Sequence, residues 1–380
     1  MKRLVLIGGG HSHLEVLRRL AAQPRHGLEV VLLTPDRHAI YSGMIPGVIA
    51  GDYAFEDCRI DLAALARRAG ARLVLAAATG LDPGRRGVLS SSGESLEYDL
   101  ASLDVGSRPA THGVPGVAEH AMNARPAAQL LQRLAAWTAP RGQGKPRRIA
   151  VVGAGAAGAE IAFTLWHRLN RDGAMGAQVT LVADAAGLLP GFDTGTRRLA
   201  VGIAAAREIP LRLGAAVIAV DAKGLTLAGG EHLEADLVIW VAGAAAPSWI
   251  AATPLATDAA GFVAINDCLQ SLSHPEVFAA GDCAGNAADP RPKSGVFAVR
   301  QGPVLAANLL RASRGEPLLS FHSSSGALAI LNCGGRRALA SWRGHAFSGR
   351  WVWGWKDWLD RRFLRRYRGG RGQQEPGGKD

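Results

Sequence analysis

An α/β fold is predicted for this chain: two three-layer domains on parallel sheets, the second inserted in the first, followed by a small C-terminal unit of β-hairpin and amphipathic helix. Three observations carry the prediction. Two glycine-rich turns lie far apart, Gly8-Gly9-Gly10-His11-Ser12-His13 and Gly153-Ala154-Gly155-Ala156-Ala157-Gly158. Each follows a short apolar run and opens a segment of helical periodicity, marked by Leu14, Leu17 and Leu20 in one and by Ile161, Leu165 and Leu169 in the other. A late apolar run, Val277-Phe278-Ala279-Ala280, ends in Gly281-Asp282, where a carboxylate can accept hydrogen bonds from a polyol. In the order strand, tight turn, helix, the first glycine makes the turn and the second lets the backbone approach a pyrophosphate. The helix N-terminus then offers N–H groups and a partial positive charge.

Along the chain, Leu4–Ile7 reads as a buried strand, residues 12–22 as a helix and Glu29–Leu33 as a second strand. Arg72–Leu75 and Leu100–Val105 are further short strands, and the breaks at Gly106-Ser107-Arg108-Pro109, Gly113 and Pro115-Gly116 mark the crossover to a second unit. Pro140–Pro146 is a loop ahead of the second turn. From Arg148 to Gly261 the pattern repeats, with strands at Val179–Val182 and Leu237–Gly243, and a helix from Gly295 to Ala312 closes the return to the first unit. The expected domains are residues 1–115 with 262–315, residues 116–261, and residues 316–380; at 380 residues, one core does not suffice. In the last unit Ala327–Asn332 and Arg337–Trp342 form a hairpin about Cys333-Gly334-Gly335-Arg336. A Trp- and Arg-dense helix then runs from Arg350 to Tyr367, and the polar residues from Gly369 onward read as disordered.

Composition excludes several classes. No apolar run spans a bilayer: Leu237–Ala246 stops at Pro247, and the stretch Ile149–Trp166 carries Glu160. The N-terminus enters a strand at once, without a signal peptide's apolar core, so a cytoplasmic protein is expected. Cys58, Cys268, Cys283 and Cys333 are widely spaced, with no C-x-x-C, and the pair His11/His13 has no third ligand, so no metal is expected. The net charge is +11, and from residue 321 onward 12 Lys and Arg face 4 Asp and Glu, together with five of the nine tryptophans. That concentration favours a helix lying on an anionic membrane surface, at the inner face of the cell membrane. The competing readings are packing on its own first domain or on a second copy in a homodimer, with nucleic acid the least favoured. Helical projection groups Trp351, Val352, Trp355, Trp358, Leu359 and Phe363 on one side, with Arg362 and Arg366 among them.

These motifs in this order resemble the two-dinucleotide flavoproteins of the pyridine nucleotide-disulfide oxidoreductase superfamily. The sequence of features is first turn, Leu103-Asp104-Val105-Gly106-Ser107, second turn, Leu237-Val238-Ile239-Trp240-Val241-Ala242-Gly243, then Gly281-Asp282. Within the superfamily the chain is similar to type II NADH dehydrogenases and sulfide:quinone reductases. It also resembles, through Gly8-Gly9-Gly10-His11-Ser12-His13 and Tyr41-Ser42-Gly43-Met44-Ile45-Pro46-Gly47, the flavoprotein domain found fused to selenide,water dikinase. The resemblance implies Rossmann-like domains holding FAD and NAD(P)H, and hydride transfer from the nicotinamide to the flavin. Electrons would then pass to a quinone-like acceptor at the Lys293–Gln301 helix. The alternatives are a sulfide- or selenide-oxidising flavoprotein and a partner module of selenophosphate synthesis. Disulfide reductases of the superfamily carry a close cysteine pair that this chain lacks, and the resemblance to type II dehydrogenases implies membrane attachment by a C-terminal helix.

The site residues follow. Gly8 and Gly10 match the first two glycines of G-x-G-x-x-G, but His13 takes the third place, so the first helix stands off or His13 points sideways. His11, at the helix start, contacts the cofactor phosphates. Thr34 replaces the ribose-binding acid, leaving Asp36, with Arg37 near the phosphates. Pro46 sits in the loop beside the isoalloxazine, and Gly106 follows the early strand. Gly153, Gly155 and Gly158 hold the nicotinamide dinucleotide, whose ribose acid is replaced by Ala183 with Asp184 next, so NADH against NADPH stays open. Glu160 matches an acid near flavin and nicotinamide in type II dehydrogenases. Gly281 and Asp282 bind the ribityl chain. Lys293 and the helix N-terminus at Val296 face the pyrimidine side of the flavin, where positive charge stabilises the reduced ring. Arg300 and Gln301 keep part of the quinone-site pattern. Glu160 and Lys293 are the catalytic candidates.

Overall fold

The computed structural model describes residues 1–22, 27–138, 147–171, 176–322 and 328–368. The loop expected at 140–146 and the tail from Gly369 lie outside these residues. Strand β1 (Lys2–Ile7) leads through the first glycine turn into helix α1 (His11–Ala22) and strand β2 (Leu28–Thr34). Helix α2 (Ile45–Ala50) and strands β3 (Arg72–Leu75) and β4 (Leu100–Leu103) follow. The second unit holds β5 (Ala121–Asn123), α3 (Ala127–Thr138), β6 (Arg148–Val152), α4 (Ala156–Asn170), β7 (Gln178–Ala183), β8 (Leu211–Leu213) and β9 (Leu237–Trp240). Strand β10 (Val277–Ala279) and helix α5 (Gly295–Arg314) come next. The chain ends in β11 (Ala329–Asn332), β12 (Ala338–Trp342), β13 (His345–Gly349) and α6 (Arg350–Tyr367).

Two five-stranded parallel sheets organise the molecule, ordered β10-β4-β1-β2-β3 and β5-β9-β6-β7-β8. In each, the strand before a glycine turn is central: β1 pairs with β2 in register Ile7 to Leu33, and β6 with β7 in register Val152 to Val182. Both strands are buried after their basic first residues, from Leu4 and from Ile149, which is why they read as continuous apolar runs. Both turns therefore emerge at the carboxyl ends of parallel strands, the usual ligand-binding edge of such sheets. Three-stranded antiparallel sheets, such as Ala78–Asp82 with Gly87–Ser90 and Ser95–Glu97, are appended as connections.

Local expectations hold with informative exceptions. The segment Tyr41–Gly47, expected as a loop, is a 3-10 turn at Ser42–Met44 running into α2, with Pro46 in the first helical turn. Proline suits that position, where its missing N–H has no helical partner. The hairpin about Cys333 forms, and a third strand, β13, extends it.

The C-terminal helix forms but turns a different face inward. Val352, Lys356, Asp360, Phe363, Leu364 and Tyr367 are buried, while Trp351 is 60% and Trp358 50% exposed. Phe363, Leu364 and Tyr367 join the core of the first sheet, and Tyr367 Oη donates to Glu15 Oε2 on α1 at 3.2 Å. Packing on its own domain is therefore what one face of this helix does. The projection missed it because Lys356 and Asp360, polar by type, satisfy one another inside.

Candidate cofactor and electron-transfer site

At the first turn Gly8 adopts φ +96°, closed to most side chains, and its N–H donates to Leu33 O at 2.8 Å. His13 does point sideways. Its ring bridges Gly8 O (Nδ1, 2.6 Å) and Ser102 Oγ (Nε2, 2.8 Å), and burial pushes its pKa down to about 4, so it is neutral. The third-glycine position is thus filled by a side chain that ties the turn to β4.

His11 opens α1, its Nε2 accepting from Ser42 N–H at 3.5 Å and its ring 5.7 Å from that of Tyr41. Burial likewise holds it neutral, with a pKa of about 4. Asp36 and Arg37 are exposed on the turn after β2, where Arg37 approaches Asp61 at 3.7 Å. Thr34 Oγ1 faces Gly9, 3.3 Å from where a Cβ would stand.

Two carboxylates sit beside this turn: Asp282, expected from the sequence, and Asp104, to which the sequence assigned no role. Asp104, 3% exposed, accepts from the amides of Ser12 (2.7 Å) and His13 (3.0 Å). It therefore occupies two N–H groups that the turn was expected to leave for a pyrophosphate. Asp282 follows Gly281 at φ +67° and receives Ser107 Oγ at 3.3 Å and Arg125 Nη2 at 3.0 Å, both on Oδ2. Arg125 comes from the end of β5, in the second unit. Gln301 is buried and accepts Gly281 N–H at 2.7 Å, so it braces the Gly-Asp turn, and it also lines the cleft that holds Lys293.

Lys293 Nζ donates to Ala284 O at 2.5 Å and lies 3.7 Å from the centroid of Phe262, and burial lowers its pKa. It shares a cleft of about 210 Å³ with Gly281, Asp282, Arg291 and Phe297, while Val296 stands exposed in the first turn of α5.

At the second turn the three glycines behave as the pattern requires. Gly153 has φ +128°, Gly155 caps α4, and a Cβ on Gly158 would stand 1.9 Å from Gly153 O, so helix and turn pack too closely for any side chain. Gly106 and Gly155 face open space, with nothing within 4 Å of a built Cβ. An open glycine beyond β4, another at the second turn and a carboxylate beyond β10 fit dinucleotides laid along these sheet edges. Ala183 is buried at the end of β7 and Asp184 is exposed beyond it.

Glu160, on α4, accepts Asn332 N–H at 2.7 Å from the C-terminal hairpin, and burial pushes its pKa up to about 7. The charges of Lys356 and Asp360 reach it. Lys356 Nζ donates to Asp360 Oδ2 at 2.7 Å and to Gly43 O at 2.6 Å, and Tyr41 Oη donates to Asp360 Oδ1 at 3.0 Å. Tyr41, Asp360 and Lys356 are thus joined by hydrogen bonds, with the His11 ring against Tyr41 and the Lys356 charge acting on Glu160. Glu160, His11 and the Tyr41 segment are legible in the sequence, whereas Lys356 and Asp360 are not, being polar residues on a Trp-rich helix.

Three of the four thiols are unsuited to redox work. Burial raises Cys58 to about 11 and Cys283 and Cys333 to about 12, so they stay protonated at neutral pH. Among the described residues no His/Cys/Asp/Glu group is placed to hold a metal, and no helix is long and apolar enough to cross a membrane.

Comparison with known proteins agrees with this geometry. An NADH dehydrogenase-like protein of Mycobacterium tuberculosis is 31% identical over 303 residues, 75% of this chain and 73% of that one. A demethylphylloquinone reductase of Synechocystis is 24% identical over 333 residues, 83% and 81% of the two chains. Among solved structures, the sulfide:quinone oxidoreductase of Aquifex aeolicus superposes with a TM-score of 0.84 at 20% identity, covering 97% of this chain and 92% of that one. The Plasmodium falciparum NDH2 in complex with NADH gives a TM-score of 0.82 at 14% identity, covering 96% of each. Residues 2–302 match the family described as pyridine nucleotide-disulphide oxidoreductase, and the chain is a member of that family, an FAD-dependent NAD(P)H oxidoreductase.

Proposed function

We propose that this enzyme passes electrons from NAD(P)H through FAD to a quinone-like acceptor at a membrane surface. The observation that carries the reading is the meeting of Glu160, the 41–50 segment and α6 between the two glycine turns. FAD, when bound, supplies the two-electron chemistry that links the nicotinamide to the acceptor. Residues 1–115 and 262–315 would hold it through Gly8, Gly10, His11, Asp36, Arg37, Pro46, Gly106, Gly281 and Asp282, with Val296 at the helix N-terminus. The Oδ1 of Asp282 is the oxygen offered to a ribityl hydroxyl. Residues 116–261 would hold NAD(P)H through Gly153, Gly155 and Gly158. Glu160 keeps a proton at its carboxyl up to about neutral pH because it is buried, which suits a group that delivers protons to a reduced acceptor. Lys293 places positive charge in the cleft beside Asp282. The Synechocystis relative is named a quinone reductase, which supports the acceptor class. Sulfide or selenide oxidation through Cys58, Cys283 or Cys333 is opposed by their burial, which keeps those thiols protonated.

Attachment to a membrane would use the outward face of α6 with the hairpin beside it. Trp342, Phe347, Trp351 and Trp358 are exposed there, among Arg361, Arg362, Arg365 and Arg366. Such a face suits the interface, aromatic rings in the headgroup region and guanidinium groups among anionic lipids.

Anaerobic titration tests the reading. NADH or NADPH should bleach the flavin absorbance, a water-soluble short-chain quinone should restore it, and sulfide should do nothing. If both nucleotides leave the spectrum unchanged, the proposal fails.

A further inference from the structure

Asp104 has no place in the reading so far, yet three glycines are shaped around it. A Cβ on Gly10 would stand 2.3 Å from its carboxyl Oδ1, a Cβ on Gly281 would stand 2.7 Å from the same oxygen, and a Cβ on Gly8 would stand 2.4 Å from its backbone O. Its carboxyl accepts the amides of Ser12 and His13, and its own N–H donates to Ile7 O at 2.9 Å. One residue, through its backbone and its carboxyl, therefore joins the end of β1, the start of α1, the end of β4 and the Gly281-Asp282 turn. A buried carboxylate at a helix N-terminus is stabilised by the aligned amides, but a diphosphate is expected at that same end.

We propose that Asp104 is a positioning residue of the FAD cradle and that it takes up a proton from solvent when the dinucleotide binds. The inference rests on FAD occupying the first turn. Its physical basis is like-charge crowding: a dianionic diphosphate brought to the amides that Asp104 already engages disfavours a third negative charge there. The groups facing Asp104 do not relieve it. His13 and His11 on α1 are held neutral by burial, Cys283 is held protonated, and Asp282 adds negative charge, with Arg125 paired to Asp282. Lys293 is engaged with Ala284 O and Phe262. Even without the dinucleotide, burial lifts the Asp104 carboxyl to about 7, so a modest further push leaves it protonated across the physiological range. The protonated acid keeps one oxygen for the Ser12 and His13 amides and gains an O–H to donate.

Calorimetric titration of the apoprotein with FAD, in buffers of differing ionisation enthalpy, reads the proton directly. Uptake should approach one proton per FAD at about pH 8 and fall to a small fraction at about pH 6, with affinity weakening by up to about tenfold per pH unit above neutrality. Asp104→Asn should abolish the uptake and flatten the pH dependence. His11→Gln removes one of the two imidazoles at the helix start, and His13→Gln the other; uptake that survives both belongs to Asp104. FAD binding without proton uptake at about pH 8 overturns the proposal, as does uptake that persists in Asp104→Asn or vanishes in either histidine variant. Should Asp104→Asn fail to fold, the unsubstituted protein and the two histidine variants decide between these outcomes. Absence of FAD binding altogether would instead sink the cofactor reading on which this rests.

Discussion

At the scale of the residue, function concentrates where a side chain is held against its intrinsic preference. Asp282 is ionic-paired on one oxygen and, in the proposed site, hydrogen-bonded to the cofactor through the other. A hydrogen bond to a charged group contributes about 1.5–3 kcal/mol, so Asp282→Ala should weaken FAD binding by roughly ten- to hundredfold, measured by quenching of flavin fluorescence. Glu160 has its carboxyl pushed from 4.5 up to about 7 by burial. Between those values the folded protein holds a proton that the unfolded chain has lost, so this group's contribution to stability falls as pH rises through that window. Glu160→Gln should flatten that part of the stability–pH curve in denaturant titrations; an unchanged slope would show that Glu160 is solvated. Gly158→Ala places a Cβ 1.9 Å from Gly153 O. Overpacking of this kind costs about 1–3 kcal/mol, so the variant should melt earlier and bind NAD(P)H poorly.

At the scale of the element, the C-terminal helix has two faces with different duties. Inward, Phe363 stacks on Tyr41 with centroids 4.3 Å apart, and Lys356 and Asp360 reach the turn at Tyr41–Gly43. Outward, Trp351 and Trp358 contact little of the protein. Deleting residues 347–380 would therefore damage the first domain as well as remove any anchor, and substitutions separate the two duties. Trp351→Ala with Trp358→Ala should lower co-sedimentation with anionic vesicles while changing stability by no more than about 0.5 kcal/mol. Phe363→Ala should cost about 3–5 kcal/mol by opening a cavity in the core. If the double Trp variant sediments like the unaltered protein, the membrane surface is not where this face goes. The turns and strands were legible because each is a local signal, an apolar run followed by glycines. The inward face of the helix was not, because whether Lys356 is buried depends on Gly43, 313 residues away in sequence.

At the scale of the whole molecule, the two parallel sheets are tied to one another through α2, α4 and α6. Arg125 crosses from the second unit to the carboxylate of the first, and the hairpin supplies the Asn332 amide to Glu160. Filling the first turn should thus stabilise more than one unit. FAD at about a hundredfold excess over its Kd adds about 2.7 kcal/mol to whatever unfolds with the site, and scanning calorimetry should show one transition moving upward. A second transition left in place would mean that the units melt independently.

The sequence by itself determined the α/β class, the two glycine turns, the Gly-Asp carboxylate and the basic, tryptophan-rich terminus, because each is written in residues adjacent along the chain. Only the tertiary structure decided that Asp104 fills the first helix N-terminus, that Arg125 and Gln301 brace the Gly281-Asp282 turn, and that α6 buries an ion pair beside Tyr41. Those choices belong to contacts between distant segments, where burial, and not local pattern, sets which polar groups must find one another.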